Sequence, residues 1–172
     1  MCHACNSGRY TNQNGSAVCF PCPEGKYVNA TGSKSVGECR DCPKGTFNSK
    51  EGMSECNSCP IGFHCDQSGM KEASPCPAGR FVNRTNALKC DHCPAGRYTD
   101  IQGSGSCLSC STGTSSNITG ATSINACEPC PRGKYANVEG QEYCTECATN
   151  QYQPKTGQID CLDCTKEFDE YK

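Results

Sequence analysis

The chain has 172 residues, with 20 cysteines, three histidines, no tryptophan and a formal net charge of −2. Charges of both signs are mixed without a run of either, which argues against nucleic acid or an anionic membrane surface as a partner. Leu, Ile, Val and Phe account for only 18 residues, too few to build an ordinary apolar core, so we expect disulfides or metal ions to hold the fold together.

The N-terminal sequence MCHACNSG has no basic segment followed by an apolar one, so it does not predict a signal peptide. No apolar stretch approaches the ~20 residues that span a bilayer, so direct membrane insertion is not expected. The chain opens already in the register of the repeat described next. We therefore expect it to be a segment of a longer protein, with neighbouring repeats of that protein as its first partners.

One motif repeats along the chain. Taking the second cysteine of each Cys-x-x-Cys as an origin gives residues 5, 22, 42, 59, 76, 93, 110, 130, 147 and 164, spaced by 17 or 20 residues. We number the nine complete repeats 1 to 9 and count positions from each origin. The pattern predicts regular repeats in 1–58, with origins at Cys5, Cys22 and Cys42, a variant repeat in 59–75, regular repeats in 76–164, and a tail or the start of another unit in 165–172.

Other residues keep the same register. Glycine stands at position 3 in most repeats, often after a proline at position 1, and Cys-Pro-x-Gly predicts a type I turn with proline second and glycine fourth. An aromatic residue at position 5 and a second glycine four residues before the next Cys-x-x-Cys follow in most repeats. We predict a small disulfide-rich, all-β or irregular fold, an elongated tandem array of ~17-residue hairpin modules with little hydrophobic core.

Four interpretations of the cysteines compete. Two Cys-x-x-Cys pairs could bind structural zinc, and a single pair could be a redox site, although a redox motif normally occurs once. Two disulfide arrangements are also possible. In a ladder, each origin bonds forward to the first cysteine of the next pair, whereas in a crossed arrangement first cysteines bond to first and second to second.

The repeat that begins at Cys59 favours the ladder. Ala73 stands where its partner should be, and an additional cysteine appears at Cys65. In the ladder, the partner of Cys59 simply moves from position 73 to Cys65, and every other bond is unchanged. A zinc site needs two Cys-x-x-Cys pairs, and here one pair is incomplete. We therefore expect no metal and no other cofactor. The predicted bonds are Cys5–Cys19, Cys22–Cys39, Cys42–Cys56, Cys59–Cys65, Cys76–Cys90, Cys93–Cys107, Cys110–Cys127, Cys130–Cys144 and Cys147–Cys161, which leaves Cys2 and Cys164 unpaired.

Local closure has consequences for packing and for compartment. Because each loop closes on itself, we expect repeats to touch only through the two-residue joint between them and through neighbouring aromatics. Disulfides in this number require an oxidising environment, which predicts an extracellular protein, either secreted or part of a cell-surface ectodomain. The sequons agree and predict N-linked glycans at Asn14, Asn29, Asn83 and Asn117, the last three of which stand at position 7.

The stretches CFPCPEGKY, CDHCPAGRY and CEPCPRGKY resemble the ephrin-receptor-like cysteine-rich repeat. They are also similar to the first module of tumour necrosis factor receptor cysteine-rich domains. The resemblance extends to Cys164, and it implies β-hairpin modules with a disulfide across each loop, strung into rods in receptor ectodomains and large surface proteins. The tail TKEFDEYK departs from the pattern.

No catalytic constellation stands out among the dispersed histidines and single acidic residues, so we do not expect an enzyme. The favoured hypothesis is a structural or interaction segment of an extracellular glycoprotein, such as a stiff stalk, a filament or a surface coat, with other chains of that assembly as further partners. The alternative is a ligand-binding receptor ectodomain, which would need apolar loop tips in consecutive repeats. Because the tips are mostly Asn, Asp, Ser and Gly, the sequence favours the stalk.

Overall fold

The computed structural model describes residues 4–13, 16 and 18–164. The predicted glycan at Asn14, the cysteine at position 2 and the tail 165–172 lie outside the described residues. Contacts between residues divide the chain into two compact units, one formed by Met1–Cys76 with Val82–Cys90 and the other by Pro77–Phe81 with Asp91–Lys172. The same module builds both units, so the description below applies to each of them separately.

Each repeat forms one antiparallel hairpin of two two-residue strands, and the second strand fills the gap between paired cysteines. In repeat 6, Arg97 lies opposite Ser109 and Tyr98 opposite Leu108. The prediction of a small, disulfide-rich, all-β fold is confirmed. The strand pairs are β1 (Arg9–Tyr10) with β2 (Phe20–Pro21), β3 (Lys26–Tyr27) with β4 (Arg40–Asp41), β5 (Thr46–Phe47) with β6 (Asn57–Ser58), β7 (Phe63–His64) with β8 (Ser74–Pro75), β9 (Arg80–Phe81) with β10 (Asp91–His92), β11 (Arg97–Tyr98) with β12 (Leu108–Ser109), β13 (Thr114–Ser115) with β14 (Glu128–Pro129), β15 (Lys134–Tyr135) with β16 (Thr145–Glu146), and β17 (Gln151–Tyr152) with β18 (Leu162–Asp163).

The turn that starts each hairpin lies one residue later than the sequence predicts. In repeat 2 the Lys26 N–H donates to the Pro23 carbonyl at 3.1 Å, and Gly25 has a φ of 76°. Glycine is therefore the third residue of the turn, where a type II turn needs a positive φ, and proline is the first. The predicted type I turn was wrong because Cys-Pro-x-Gly fits both registers, and glycine is the residue that reaches the left-handed region most readily.

The two 20-residue repeats differ from the others by a short insertion. In repeat 2 it forms the 3-10 helix Val36–Glu38, and in repeat 7 the 3-10 helix Ile124–Ala126. Each helix occupies positions 14 to 16 and ends directly before the bonded cysteine. The insertion therefore lengthens one side of the loop and leaves the hairpin strands in their usual places.

In repeats 2 to 9 the interior is the side chain at position 6, directly after the first strand. It is buried in eight consecutive repeats, although its chemical character changes from one repeat to the next. The buried residues are Val28, Asn48, Cys65, Val82, Thr99, Ser116, Ala136 and Gln153. Polar members are satisfied internally: the Asn48 amide nitrogen donates to the Lys26 and Glu55 carbonyls at 3.2 and 3.0 Å. A buried amide with such partners avoids the cost of an unpaired polar group.

Neighbouring repeats are joined by backbone hydrogen bonds, which corrects the expectation that they touch only through joints and aromatics. Between repeats 6 and 7, Gly96 N–H donates to Ser116 O at 2.7 Å and Thr99 N–H to Ala121 O at 3.1 Å. In the opposite direction, the Gly120 N–H of repeat 7 donates to the Cys93 carbonyl of repeat 6 at 2.7 Å. The same three bonds recur between successive repeats within each unit, so the main chains form a continuous hydrogen-bonded lattice there.

Glycine at position 3 also packs against a repeat two places further along. A Cβ atom added at Gly96 would overlap the carbonyl oxygen of Gly140, and one added at Gly8 would overlap that of Gly52. Both partners are the second glycine, at position 10. Within a unit, repeats 1 and 6 therefore each contact the next repeat by hydrogen bonds and the one after that by close backbone packing, which only a residue without a side chain permits.

Candidate functional site

The nine disulfides of the described residues follow the ladder, each closing its own loop. Sequence separations are 14 or 17 residues in eight of them and six residues in Cys59–Cys65. The bonds are Cys5–Cys19, Cys22–Cys39, Cys42–Cys56, Cys59–Cys65, Cys76–Cys90, Cys93–Cys107, Cys110–Cys127, Cys130–Cys144 and Cys147–Cys161. Cys164 is exposed and, among these residues, forms no disulfide.

A Cys-x-x-Cys in this protein is a joint between two loops. Cys107 bonds backward to Cys93 and Cys110 bonds forward to Cys127, so the two sulfurs of one motif belong to different disulfides. The Cys110 N–H donates to the Gly96 carbonyl at 2.8 Å and fixes the joint against the turn of the preceding repeat. A redox motif needs both sulfurs in one reversible bond, and this arrangement does not provide it.

The side chain at position 5 packs against the disulfide of the next repeat. Tyr10 lies against the cluster of Cys22, Val28 and Cys39. In repeat 7 the aromatic is replaced by Ser115, whose Oγ lies 3.1 Å from Cys144 Sγ. Tyr10 and Ser115 thus both lie against the disulfide of the following repeat, although their side chains differ.

In repeat 4 this covering residue is a histidine. His64 Nδ1 lies 3.5 Å from Cys90 Sγ, and the potential ligand atoms of His64, Cys76 and Cys90 all lie within 4.8 Å of one another. Cys76 and Cys90 are bonded to each other, so neither sulfur carries the thiolate charge that a zinc ligand needs. We therefore interpret this group as the His64 ring packed against the Cys76–Cys90 disulfide.

Cations at position 4 pair across the hairpin. Lys26 Nζ lies 2.6 Å from Asp41 Oδ1, and Lys134 Nζ lies 3.0 Å from Glu146 Oε1. Arg9 instead donates from Nη1 to the Cys19 carbonyl at 3.1 Å. These side chains face the opposite strand, where exposed pairs of this kind each stabilise a fold by roughly 0–1 kcal/mol.

The described sequons lie on the surface. Asn29, Asn83 and Asn117 are all exposed, each directly after the buried side chain at position 6. In the second unit, position 8 is apolar in three consecutive repeats: Ile101, Ile118 and Val138 are 62%, 50% and 55% exposed. The expectation of polar loop tips therefore does not hold at position 8 of repeats 6 to 8.

Among the described residues, no helix is both long and apolar enough to span a bilayer. The repeating hairpin, the ladder of local disulfides and the polar, glycine-rich loops together define a tandem cysteine-rich module protein.

A family model described as tyrosine-protein kinase ephrin type A/B receptor-like matches residues 1–39, 36–76, 66–106, 79–127 and 133–172. The chain belongs to this ephrin-receptor-like family, whose repeat is a non-catalytic cysteine-rich module. No curated protein matches the chain. Repeats of this family indicate an extracellular, disulfide-rich structural or interaction region.

Proposed function

We propose that this chain is a stiff, disulfide-stapled segment of an extracellular glycoprotein and serves as a stalk or as part of a filament or surface coat. The lattice of backbone hydrogen bonds supports the proposal most directly. Three such bonds link each repeat to its neighbour within a unit, and Gly96 packs on Gly140 two repeats further on. Bending between such repeats would break several main-chain contacts at once, which favours mechanical stiffness.

The disulfides add resistance to proteolysis. A bond that closes a loop of about 15 residues contributes on the order of 3 kcal/mol by the chain-entropy estimate. Local closure also means that a cut within one loop leaves its two ends joined by the same bond. A surface protein exposed to proteases would benefit from both properties.

Two measurements test the proposal. The secreted chain should resist trypsin at a protease concentration that cleaves the reduced and alkylated chain completely. The same Lys and Arg sites are present in both forms, so the difference in cleavage measures protection by the disulfide-bonded fold. Small-angle X-ray scattering of the native chain should give a pair-distance distribution typical of a rod. Rapid cleavage of the oxidised chain between repeats, or a scattering profile typical of a flexible string of modules, would contradict a stiff stalk.

A second candidate, ligand or partner recognition, is favoured by one observation. The exposed apolar residues Ile101, Ile118 and Val138 occupy the same position in consecutive repeats, which would offer a partner a repeated set of apolar contacts. Sedimentation velocity of the native chain and of a variant with serine at these three positions distinguishes the roles. Concentration-dependent association that the variant loses would favour assembly through this surface, whereas a monomer in both cases would favour a lone stalk.

A further inference from the structure

The two 20-residue repeats place equivalent cavities beside their sequons. In repeat 2 a cavity of about 270 Å³ is lined by Tyr27, Val28, Asn29, Ala30, Gly37, Glu38 and Arg40. In repeat 7 a cavity of about 150 Å³ is lined by Ser115, Ser116, Asn117, Ile118, Ala126, Glu128, Glu142 and Tyr143. Both cavities share positions 5, 6, 7, 8, 16 and 18. The coincidence is structural, since the two repeats lie in different units and differ at most of these residues.

The short insertion provides one wall of each cavity. Position 16 is Glu38 in repeat 2 and Ala126 in repeat 7, and it belongs to the 3-10 helix that, within residues 4–13, 16 and 18–164, occurs in these two repeats alone. The sequon asparagine at position 7 also lines each cavity. Positions 5 and 18 form a facing pair across the hairpin, Tyr27 with Arg40 in one case and Ser115 with Glu128 in the other.

We propose that these cavities are cradles for the first N-acetylglucosamine of glycans carried by Asn29 and Asn117. This inference rests on the glycoprotein part of the function proposed above. The cavities are smaller than the roughly 300–1,000 Å³ of a typical small-molecule site, so a single sugar ring suits them better than a longer saccharide. Because the sugar would be attached to a residue that lines the cavity, no affinity for a free ligand is required.

The linings match the chemistry of a pyranose ring, which has apolar C–H faces and hydroxyl groups at its edge. In repeat 2 the Tyr27 ring offers an apolar surface, and Arg40 and Glu38 offer polar groups. The Glu38 Oε1 accepts a hydrogen bond from the Lys34 N–H at 3.0 Å, which holds this carboxylate in place. A ring surface bordered by fixed polar groups is the usual composition of a specific small site.

In repeat 7 the aromatic surface comes from the following repeat. Position 5 is Ser115 and has no ring, but Tyr143 of repeat 8 lines the cavity while remaining 64% exposed. A hydrogen bond to Glu142, with the negative charge of that carboxylate, raises the pKa of Tyr143 above its ordinary value. Tyr143 therefore supplies the aromatic side chain that position 5 lacks in this repeat.

Asn83 provides an internal control. It stands at position 7 of repeat 5, which has 17 residues and therefore no insertion. The full chain, secreted from eukaryotic cells, should be treated with a glycosidase that cleaves the bond between asparagine and sugar and converts asparagine to aspartate. Site-resolved mass spectrometry then gives a cleavage rate at each asparagine, and denatured protein gives the reference rate for each sequence context.

We expect cleavage of the folded chain to be roughly five-fold slower at Asn29 and Asn117 than at Asn83 after normalisation, the effect of one aromatic contact. The Tyr143→Ala variant, which changes an exposed side chain, should raise the rate at Asn117 to that of Asn83 and leave Asn29 unchanged. Deletion of Ile124–Ala126 should act in the same way if the variant folds.

Equal normalised rates at the three sites, or an unglycosylated Asn29 or Asn117, would overturn the cradles. Glycan found on Asn83 alone would do so while leaving the chain a glycoprotein. Absence of glycan from every sequon would remove the cradles and the glycoprotein assignment together. The stalk would still be judged separately, by its resistance to protease and by scattering.

Discussion

Repeats 4 and 6 have the same backbone but different covalent cross-links. Repeat 6 is closed by Cys93–Cys107 with a separation of 14 residues, whereas repeat 4 is closed by Cys59–Cys65 with a separation of six. The three hydrogen bonds to the following repeat are nevertheless equivalent. Repeat 4 forms them through Gly62, Cys65 and Asn86 at 2.8 to 2.9 Å. The position of a disulfide therefore does not set the register of the array, and the main-chain lattice does.

Position 6 explains why the exchange is possible. Cys65 occupies the inward-facing site that holds Thr99 in repeat 6, and both side chains are fully or almost fully buried. A cysteine at this site faces the origin of its own repeat and can bond to it without changing the hairpin. Repeat 4 thus combines two roles, interior side chain and disulfide partner, in one residue.

Removal of each bridge should have the largest effect. The paired change Cys93→Ala and Cys107→Ala should lower the free energy of unfolding by about 3 kcal/mol, because the bond closes a loop of about 15 residues. Cys59→Ala with Cys65→Val should cost about 2.4 kcal/mol, because its loop is shorter and valine already occupies position 6 in two other repeats. Guanidinium titration of both variants measures the difference. An equal or larger loss at repeat 4 would contradict loop closure as the origin of the effect.

Substitution of one glycine should disrupt the backbone packing between alternate repeats. Gly96→Ala should lower the free energy of unfolding by about 2 kcal/mol more than Gly133→Ala, because only the first new methyl group meets a carbonyl oxygen. Both glycines have a φ of 77° to 78°, so the backbone strain is the same. At Gly133 a Cβ atom would meet no described atom within 4 Å. Equal denaturation midpoints for the two variants would argue against the packing between alternate repeats.

Asn86, at position 10 of repeat 5, tests how strictly this position requires a residue that tolerates a positive φ. Asn86 donates to the Cys59 carbonyl with a φ of 57°, where the regular repeats have glycine. Asn86→Gly should leave stability nearly unchanged, whereas Asn86→Ala should cost about 1 kcal/mol, because alanine tolerates the left-handed region less well than asparagine. Thermal denaturation of the two variants decides this, and an alanine variant as stable as wild type would exclude a conformational role for Asn86.

The smallest effect comes from moving the bridge itself. Cys65→Val with Ala73→Cys should restore a bond between residues 59 and 73 and stabilise the chain by about 0.6 kcal/mol, the value of roughly doubling the loop. The matched reverse change in repeat 6, Thr99→Cys with Cys107→Ala, should destabilise it by a similar amount. Peptide mapping must first show the intended bonds, and effects of the same sign in both repeats would rule out loop length as the cause.

Much of this architecture is readable from the sequence because cysteine, glycine and aromatic residues mark fixed positions. The loss at Ala73 and the gain at Cys65 pointed to local disulfides, since only a local bond could absorb both. The buried position of each repeat was harder to predict from the sequence. Position 6 holds residues as different as Val28, Asn48 and Gln153, so no hydrophobic pattern reveals that it is buried.

The contacts between repeats were missed for a different reason. They join backbone N–H and carbonyl groups, which every residue has, so no side-chain pattern encodes them. Two substitutions did carry a signal. Asn86 and Asn150 stand at positions otherwise held by glycine, and both have a positive φ. Asparagine is the residue that most readily replaces glycine in that conformation, so its presence indicates a backbone constraint.

The short span of every disulfide bears on how such a chain is made. Twenty cysteines would allow an enormous number of wrong pairings if they were all free together, since even eight allow 105. Here each partner follows 17 residues or fewer behind, so both cysteines of a bond are synthesised within about 1–4 s of each other at ordinary synthesis rates. Each bonded origin cysteine is followed next in the chain by its own partner, so bonds that form in the order of synthesis are the observed ones.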